Sequence, residues 1–354
     1  MKRVEKLRLI MKEHNLDAFL VTSMLNIKYL SSFTGTTGKI LITKDKQYFL
    51  TDFRYLSQAS AQCKGFEIVD VGYNYAENLE KLINNSSVGF EGNIMTYDEF
   101  THFKNTCTSL VFESVNLDKL RMIKDELEVQ KIVKANEISI KALNYVLDNV
   151  LIPNKTTEKE LRYALEAKMN ELGASGASFD TIIASGVRSS LPHGVASDKI
   201  IEAGDFITID YGCFYDGYVS DITRTFAVSK LPSEKLIEIY NIVLKAQLLG
   251  VEAVRPGIKI KEVDKVVRDY ITSKGYGEYF GHGTGHGIGL EIHEEPYVRG
   301  NMDTVLEEGM VITIEPGIYL PDIGGVRIED DVLVTKNGHE ILTKMEKDLK
   351  IVGK

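Results

Sequence analysis

The sequence predicts an α+β protein in which a smaller α/β unit precedes a larger unit of grouped helices and antiparallel ribbons. Three observations carry this. Short apolar runs alternate with helical segments over about the first 120 residues. Asp125 to Leu147 then runs without Gly or Pro. Beyond it, strands joined by strong turn signals, Asp216-Gly217 above all, alternate with two further helices.

The elements follow in order. The first fifteen residues form an amphipathic helix, with Val4, Leu7, Ile10 and Met11 at helical spacing. Asp17–Thr22 reads as a buried strand, and Lys39–Thr43, Tyr48–Thr51, Phe66–Val71 and Val88–Phe90 as further strands. The stretch Asp125–Leu147 is one long helix, its apolar stripe made of Leu127, Ile132, Ala135, Ile138, Ala142, Leu143 and Val146, ended by Pro153-Asn154. A domain junction falls near Leu120–Ile123, which gives domains 1–121 and 122–354. Thr157 and Glu160 make a capping box for a second helix buried through Leu161, Leu165, Met169 and Leu172 and stopped by Gly173. Two more helices cover Glu234–Leu249 and Lys261–Ser273.

Composition bounds the function. At 354 residues, with 44% hydrophobic and 26% charged, the chain is globular rather than disordered. A net charge of −9 argues against nucleic acid or an anionic membrane as the main partner. No apolar run reaches the length of a membrane span, and the charged start Met1-Lys2-Arg3 does not read as a signal peptide. Three scattered cysteines, Cys63, Cys107 and Cys213, exclude a disulfide scaffold and a cysteine zinc site and fit a cytoplasmic protein.

The chemistry sits in the ribbons. With a turn at Asp216-Gly217, Tyr215 faces Tyr218 and Gly212 faces Asp221, so Asp210 and Asp221 share a face as diagonal neighbours, with open space at Gly212 between them. Asp is disfavoured in strands; the competing explanation places one or both at strand ends facing solvent. A second ribbon folds back at Asp322, setting Glu315, at the end of one strand, opposite Glu329, inside the next. There the competing explanation pairs Glu329 with Arg327 or leaves it solvated. Of seven histidines, His282, His286 and His293 fall in one glycine-rich segment, and His193 follows Pro192. That segment lacks the Lys-Ser/Thr of a phosphate loop.

Four carboxylates and an imidazole gathered without counter-charge would drive their own pKa values upward. Two divalent cations would balance them. Mostly hard oxygen ligands with one nitrogen favour Mn²⁺, Co²⁺ or Zn²⁺ in a catalytic site. Such a centre supplies an activated water and polarises a carbonyl, which reaches metal-assisted hydrolysis but not the substrate.

These residues resemble the creatinase/aminopeptidase P/prolidase family of metallopeptidases across essentially the whole chain. The resemblance implies a pita-bread catalytic domain behind a creatinase-like N-terminal domain. It further implies metal ligation by Asp210, Asp221, His286, Glu315 and Glu329, with Asp221 and Glu329 bridging two ions, of which Mn²⁺ ranks first. His293 would stabilise the oxyanion, His282 and His193 would position substrate, Arg327 would hold the carboxylates or substrate, Tyr319 would line the pocket, and Glu315 would pass a proton to the leaving nitrogen. The implied reaction is hydrolysis of the Xaa–Pro bond of small peptides by a homodimer. Phe33-Thr34-Gly35-Thr36-Thr37-Gly38 and Thr51-Asp52-Phe53-Arg54-Tyr55 point to the aminopeptidase P type, with Xaa-Pro dipeptidase as the alternative. Methionine aminopeptidase usually lacks a domain like 1–120 and the extra His282. Creatinase has lost the metal set. A non-catalytic binding protein on the same fold is the reading from another class, and the intact ligand set argues against it.

Overall fold

The computed structural model describes residues 3–353, so the Met1-Lys2 start of the expected first helix lies outside the described residues. The chain divides into two compact units, Met1–Arg121 and Met122–Lys354.

In the first unit a six-stranded sheet runs in the order β4-β3-β2-β1-β5-β6. Its strands are β1 (Ala18–Val21), β2 (Lys39–Thr43), β3 (Gln47–Thr51), β4 (Glu67–Asp70), β5 (Ser87–Phe90) and β6 (Val111–Ser114). Helices α1 (Arg3–Glu13), α2 (Met24–Ser31), α3 (Leu56–Gln62), α4 (Tyr75–Leu82) and α5 (Tyr97–Thr106) intervene. The β1–β2 and β2–β3 pairs are antiparallel and the other three are parallel. Strand β6 has no sequence expectation behind it. It is an edge strand whose Val111 is exposed, so it lacks the apolar alternation that marks a covered strand.

In the second unit, α6 (Glu126–Asn149) and α7 (Glu158–Glu171) each begin on a capping box, Asp125 with Glu128 and Thr157 with Glu160. Both pack on a four-stranded sheet ordered β20-β12-β9-β8. Its strands are β8 (Ile182–Ser185), β9 (Phe206–Tyr211), β12 (Ile222–Val228) and β20 (Ile351–Val352). The expected stripe of α6 is buried except at Leu127, which is 67% exposed. Leu127 sits in the first turn of the helix, and the buried apolar positions of the stripe begin at Ile132.

The period-two rule then orders the sheet. Ile207, Ile209 and Tyr211 point into the α6/α7 core, whereas Phe206 and Ala227 join a second core beneath α8 (Glu234–Ala253) and α9 (Ile260–Ser273). Small strands β7 (Gly176–Ala177), β10 (Cys213–Tyr215) and β11 (Tyr218–Val219) extend the hairpin, with Tyr215 opposite Tyr218.

A five-stranded sheet, β14-β13-β15-β18-β19, comprises β13 (Gly285–Gly287), β14 (Glu294–Val298), β15 (Val311–Ile314), β18 (Asp330–Thr335) and β19 (Gly338–Ile341). The ribbon of β16 (Gly317–Leu320) and β17 (Gly324–Arg327) turns at Asp322, which takes φ 61°. No helix among the described residues is long and apolar enough to cross a membrane.

Candidate active site

On β9 and β12 the register sets Asp210 opposite Thr223, and Asp221 lies two residues before Thr223, on the same face. Both aspartates are buried, so they do not mark solvated strand ends. The gap expected at Gly212 is absent: a Cβ there would lie 1.9 Å from the Ser220 carbonyl oxygen and 2.5 Å from Ser178 Oγ. Glycine is required because two backbones meet closely beside Asp221.

Glu315 follows β15 directly, and the β16–β17 register carries Glu329 back toward it. Glu329 is not inside a strand as expected. It occupies the break between β17 and β18, where Thr223 Oγ1 donates to its Oε2 at 2.6 Å. Nor does it pair with Arg327, whose Nη2 donates instead to Asp210 Oδ2 at 2.6 Å.

His286 stands on β13, where Gly285 lets the backbone approach Thr313. Its Nδ1 donates to the Gly287 carbonyl at 3.1 Å, which fixes the tautomer and leaves the Nε2 lone pair facing Asp221 Oδ2 at 3.5 Å and Glu315 Oε1 at 3.4 Å. Donor atoms of Asp221, His286 and Glu329 lie within 4.8 Å of one another.

The electrostatics match this crowding. Burial, then the neighbouring carboxylates, pushes Asp221 and Glu329 well above the carboxylate range, and burial lifts Glu315 to about 7. Burial depresses His286 to about 3, keeping the imidazole neutral and able to bind a cation. Asp210 Oδ1 and Glu329 Oε1 are buried without a hydrogen-bond partner. Buried oxygens with no donor, set around a neutral imidazole, fit divalent cations. When bound, such ions supply an activated water and polarise a carbonyl.

A hydrogen-bonded chain flanks the cluster. Arg327 Nη1 donates to Tyr319 Oη at 2.8 Å, and Tyr319 meets His282 Nε2 at 3.0 Å. His282 Nδ1 donates to the Gly283 carbonyl at 2.8 Å, so Tyr319 is the donor to Nε2. Burial depresses His282 to about 4 and also lowers His293. The rings of His286 and His293 meet edge to face with centroids 4.4 Å apart.

One cavity of about 680 Å³ gathers all ten sequence candidates: Asp210, Asp221, His286, Glu315, Glu329, His193, His282, His293, Tyr319 and Arg327. Its size suits a small ligand. Arg299, Phe179, Tyr297 and Ile292 also line it and were not anticipated. Thr223 and Asp331, which hold Glu329 and the Asp221 amide, were missed as well. Only the placement of Thr223 opposite Asp210 carried a readable signal. Arg299 sits beyond the histidine segment with nothing local to mark it.

The fold and this acidic, neutral-imidazole cavity define a metal-dependent hydrolase. The chain belongs to metallopeptidase family M24, whose profile matches residues 130–336, while the Creatinase/Prolidase N-terminal domain matches 3–123. Its solved neighbours have the pita-bread architecture. It is similar to the structure of Xaa-Pro dipeptidase from Bacillus anthracis, with 48% identity, 99% of each chain covered and a TM-score of 0.95. It is 43% identical to the Xaa-Pro dipeptidase of Pyrococcus horikoshii, over 98% of each chain. The X-Pro aminopeptidase structure from Thermotoga maritima is 39% identical, covers 98% of this chain and 100% of its own, and has a TM-score of 0.89.

Proposed function

We propose that this chain is a dinuclear-metal exopeptidase acting on Xaa–Pro bonds, and that dipeptides are its substrates. The convergence of Asp210, Asp221, His286, Glu315 and Glu329 in one buried cavity, with two carboxylate oxygens lacking any donor, carries the reading. Asp210 would serve one ion, His286 and Glu315 the other, and Asp221 and Glu329 both. Mn²⁺ suits a mostly oxygen donor set, ahead of Co²⁺ or Zn²⁺. Residues 1–121 are read as the N-terminal domain and 122–354 as the catalytic domain, in a cytoplasmic homodimer.

The chain's own groups would do the following. His193 and His282 orient the peptide, and Tyr319 lines the pocket while its hydroxyl fixes the His282 ring. His293 donates to the developing oxyanion. Glu315 takes a proton from the attacking water and passes it to the departing proline nitrogen. Arg327 holds the Asp210 carboxylate in place through their 2.6 Å hydrogen bond.

The dipeptidase reading replaces the aminopeptidase P expectation for two reasons. The names of relatives at 43% and 48% identity favour it. The cavity also holds a second guanidinium, Arg299, stacked over Tyr297 at 4.7 Å, and Arg327 is already committed to Asp210 and Tyr319. Arg299 is suited to the free carboxylate of a dipeptide. The aminopeptidase P reading keeps the support of the Thermotoga relative. Rates on an Xaa–Pro dipeptide and an Xaa–Pro–Yaa tripeptide decide between them: a strong dipeptide preference supports the proposal, and equal or better tripeptide cleavage overturns it.

A further inference from the structure

His193 reaches the cavity from an irregular segment, residues 186–197. That segment has one short 3-10 turn, Gly186–Ser190, and one isolated bridge, Val195 to Ile182. His193 itself is exposed, so side-chain packing does not set its place. One buried carboxylate ties both ends of the segment. Glu158, in the first turn of α7, is fully buried and lies outside the cavity. Its Oε1 accepts from Ser185 N at 2.8 Å and Ser185 Oγ at 2.9 Å. Its Oε2 accepts from Ser197 N at 3.0 Å, Ser197 Oγ at 2.7 Å and Arg188 Nη1 at 2.7 Å.

Arg188 completes the tie, donating through Nη2 to the Val195 carbonyl at 2.9 Å, two residues beyond His193. The α7 terminus adds to it, since the amides of Glu158 and Lys159 donate to the carbonyls of Lys199 and Ser197 at 3.0 and 3.1 Å. From the cavity side, Arg327 Nη1 donates to the carbonyl of Pro192 at 3.2 Å.

We propose that Glu158, acting with Arg188, is a positioning residue that holds segment 186–197 so that His193 meets the substrate. A capping residue alone needs one acceptor; five donors, two from Ser185 at the end of β8 and three from Arg188 and Ser197 within the segment, are what a clamp requires. The proposal rests on the reading of His193 as a substrate-touching group.

The test uses the full-length, Mn²⁺-loaded protein and alanyl-proline. Glu158→Gln is expected to raise KM about tenfold with kcat changed less than about threefold, because ground-state placement is lost and the metal cluster is not. Mn²⁺ affinity stays within about twofold, and amide exchange in 186–197 quickens by about tenfold or more. In a His193→Ala background the KM cost of Glu158→Gln falls below about twofold, since the clamped group is gone. A cost that multiplies fully with His193→Ala, or unchanged exchange in 186–197, overturns the proposal.

If His193→Ala alone leaves KM unchanged, the reading of His193 fails. The positioning role of Glu158 is then overturned with it, and exchange in 186–197 reports only on the hold Glu158 has on the segment. If Glu158→Gln does not fold, Arg188→Met, at a partly exposed position, replaces it with the same split expected at smaller size. Unaltered KM and exchange in Arg188→Met overturn the proposal too.

Discussion

Arg327 donates to Asp210 at 2.6 Å, and the same guanidinium reaches Tyr319 Oη at 2.8 Å and Thr223 Oγ1 at 3.1 Å. One planar cation thus joins the carboxylate cluster to the substrate-side chain of Tyr319 and His282. Lysine keeps the charge but cannot present the fork. Arg327→Lys is expected to lower kcat/KM roughly 10²-fold through misplacement of reacting groups. Steady-state kinetics with saturating Mn²⁺ check this; activity within a few fold of wild type would show that geometry here matters little.

The metal-free protein should have an unusual pH profile. Glu315 rises from 4.5 to about 7, Asp331 from 3.8 to about 8, and Asp221 and Glu329 are pushed well above the carboxylate range, all mainly through burial. A carboxylate with a raised folded pKa binds more protons folded than unfolded, so its contribution is lost as pH rises through that pKa; below about 6.5 the depressed His282, His286 and His293 act in the opposite direction, so the net decline falls as pH climbs from about 6.5 through about 8. Thermal melts of chelator-treated protein should show Tm falling across that window. Added Mn²⁺ should restore it, most strongly at the alkaline end.

Arg299→Met probes the chain length of the substrate. Loss of a charge-assisted bond to a terminal carboxylate weakens binding by roughly 10–100-fold. KM for the dipeptide should rise by that factor while KM for an Xaa–Pro–Yaa amide hardly moves. Equal effects on both would remove the carboxylate role.

Gly212→Ala tests how tightly the hairpin is built. The added methyl meets the Ser220 carbonyl at 1.9 Å, so the backbone next to Asp221 must shift. A cost of about 1–3 kcal/mol is expected for such overpacking, together with weaker Mn²⁺ binding. Denaturant titration and calorimetry read the two effects separately.

Much of this architecture was legible because it follows from period and turn chemistry. The Asp216-Gly217 turn fixed a register that the Tyr215–Tyr218 pair shares, and from it the common face of Asp210 and Asp221 followed. Both ends of the Glu315–Glu329 fold-back came from one turn at Asp322. What escaped was long-range or aperiodic. Leu127 matched the stripe of α6 but is exposed in its first turn, and β6 has too little cover to show alternation. Glu158 owes its place to Ser185, Arg188 and Ser197, well beyond it in sequence, and no spacing in the sequence announces either it or Arg299. The space imagined at Gly212 failed for a related reason: a strand pairing says who faces whom, not how closely a third segment approaches.

The most direct measurement is metal content against turnover. Chelator-stripped protein is titrated with Mn²⁺ while bound ions per chain and alanyl-proline hydrolysis are followed together, for wild type and Asp221→Ala. Wild type should take up two ions per chain and gain activity as they bind, and Asp221→Ala should bind fewer and stay inactive. Full hydrolysis by stripped wild type, or tight two-ion binding with normal turnover in Asp221→Ala, would contradict a reaction centred on these carboxylates.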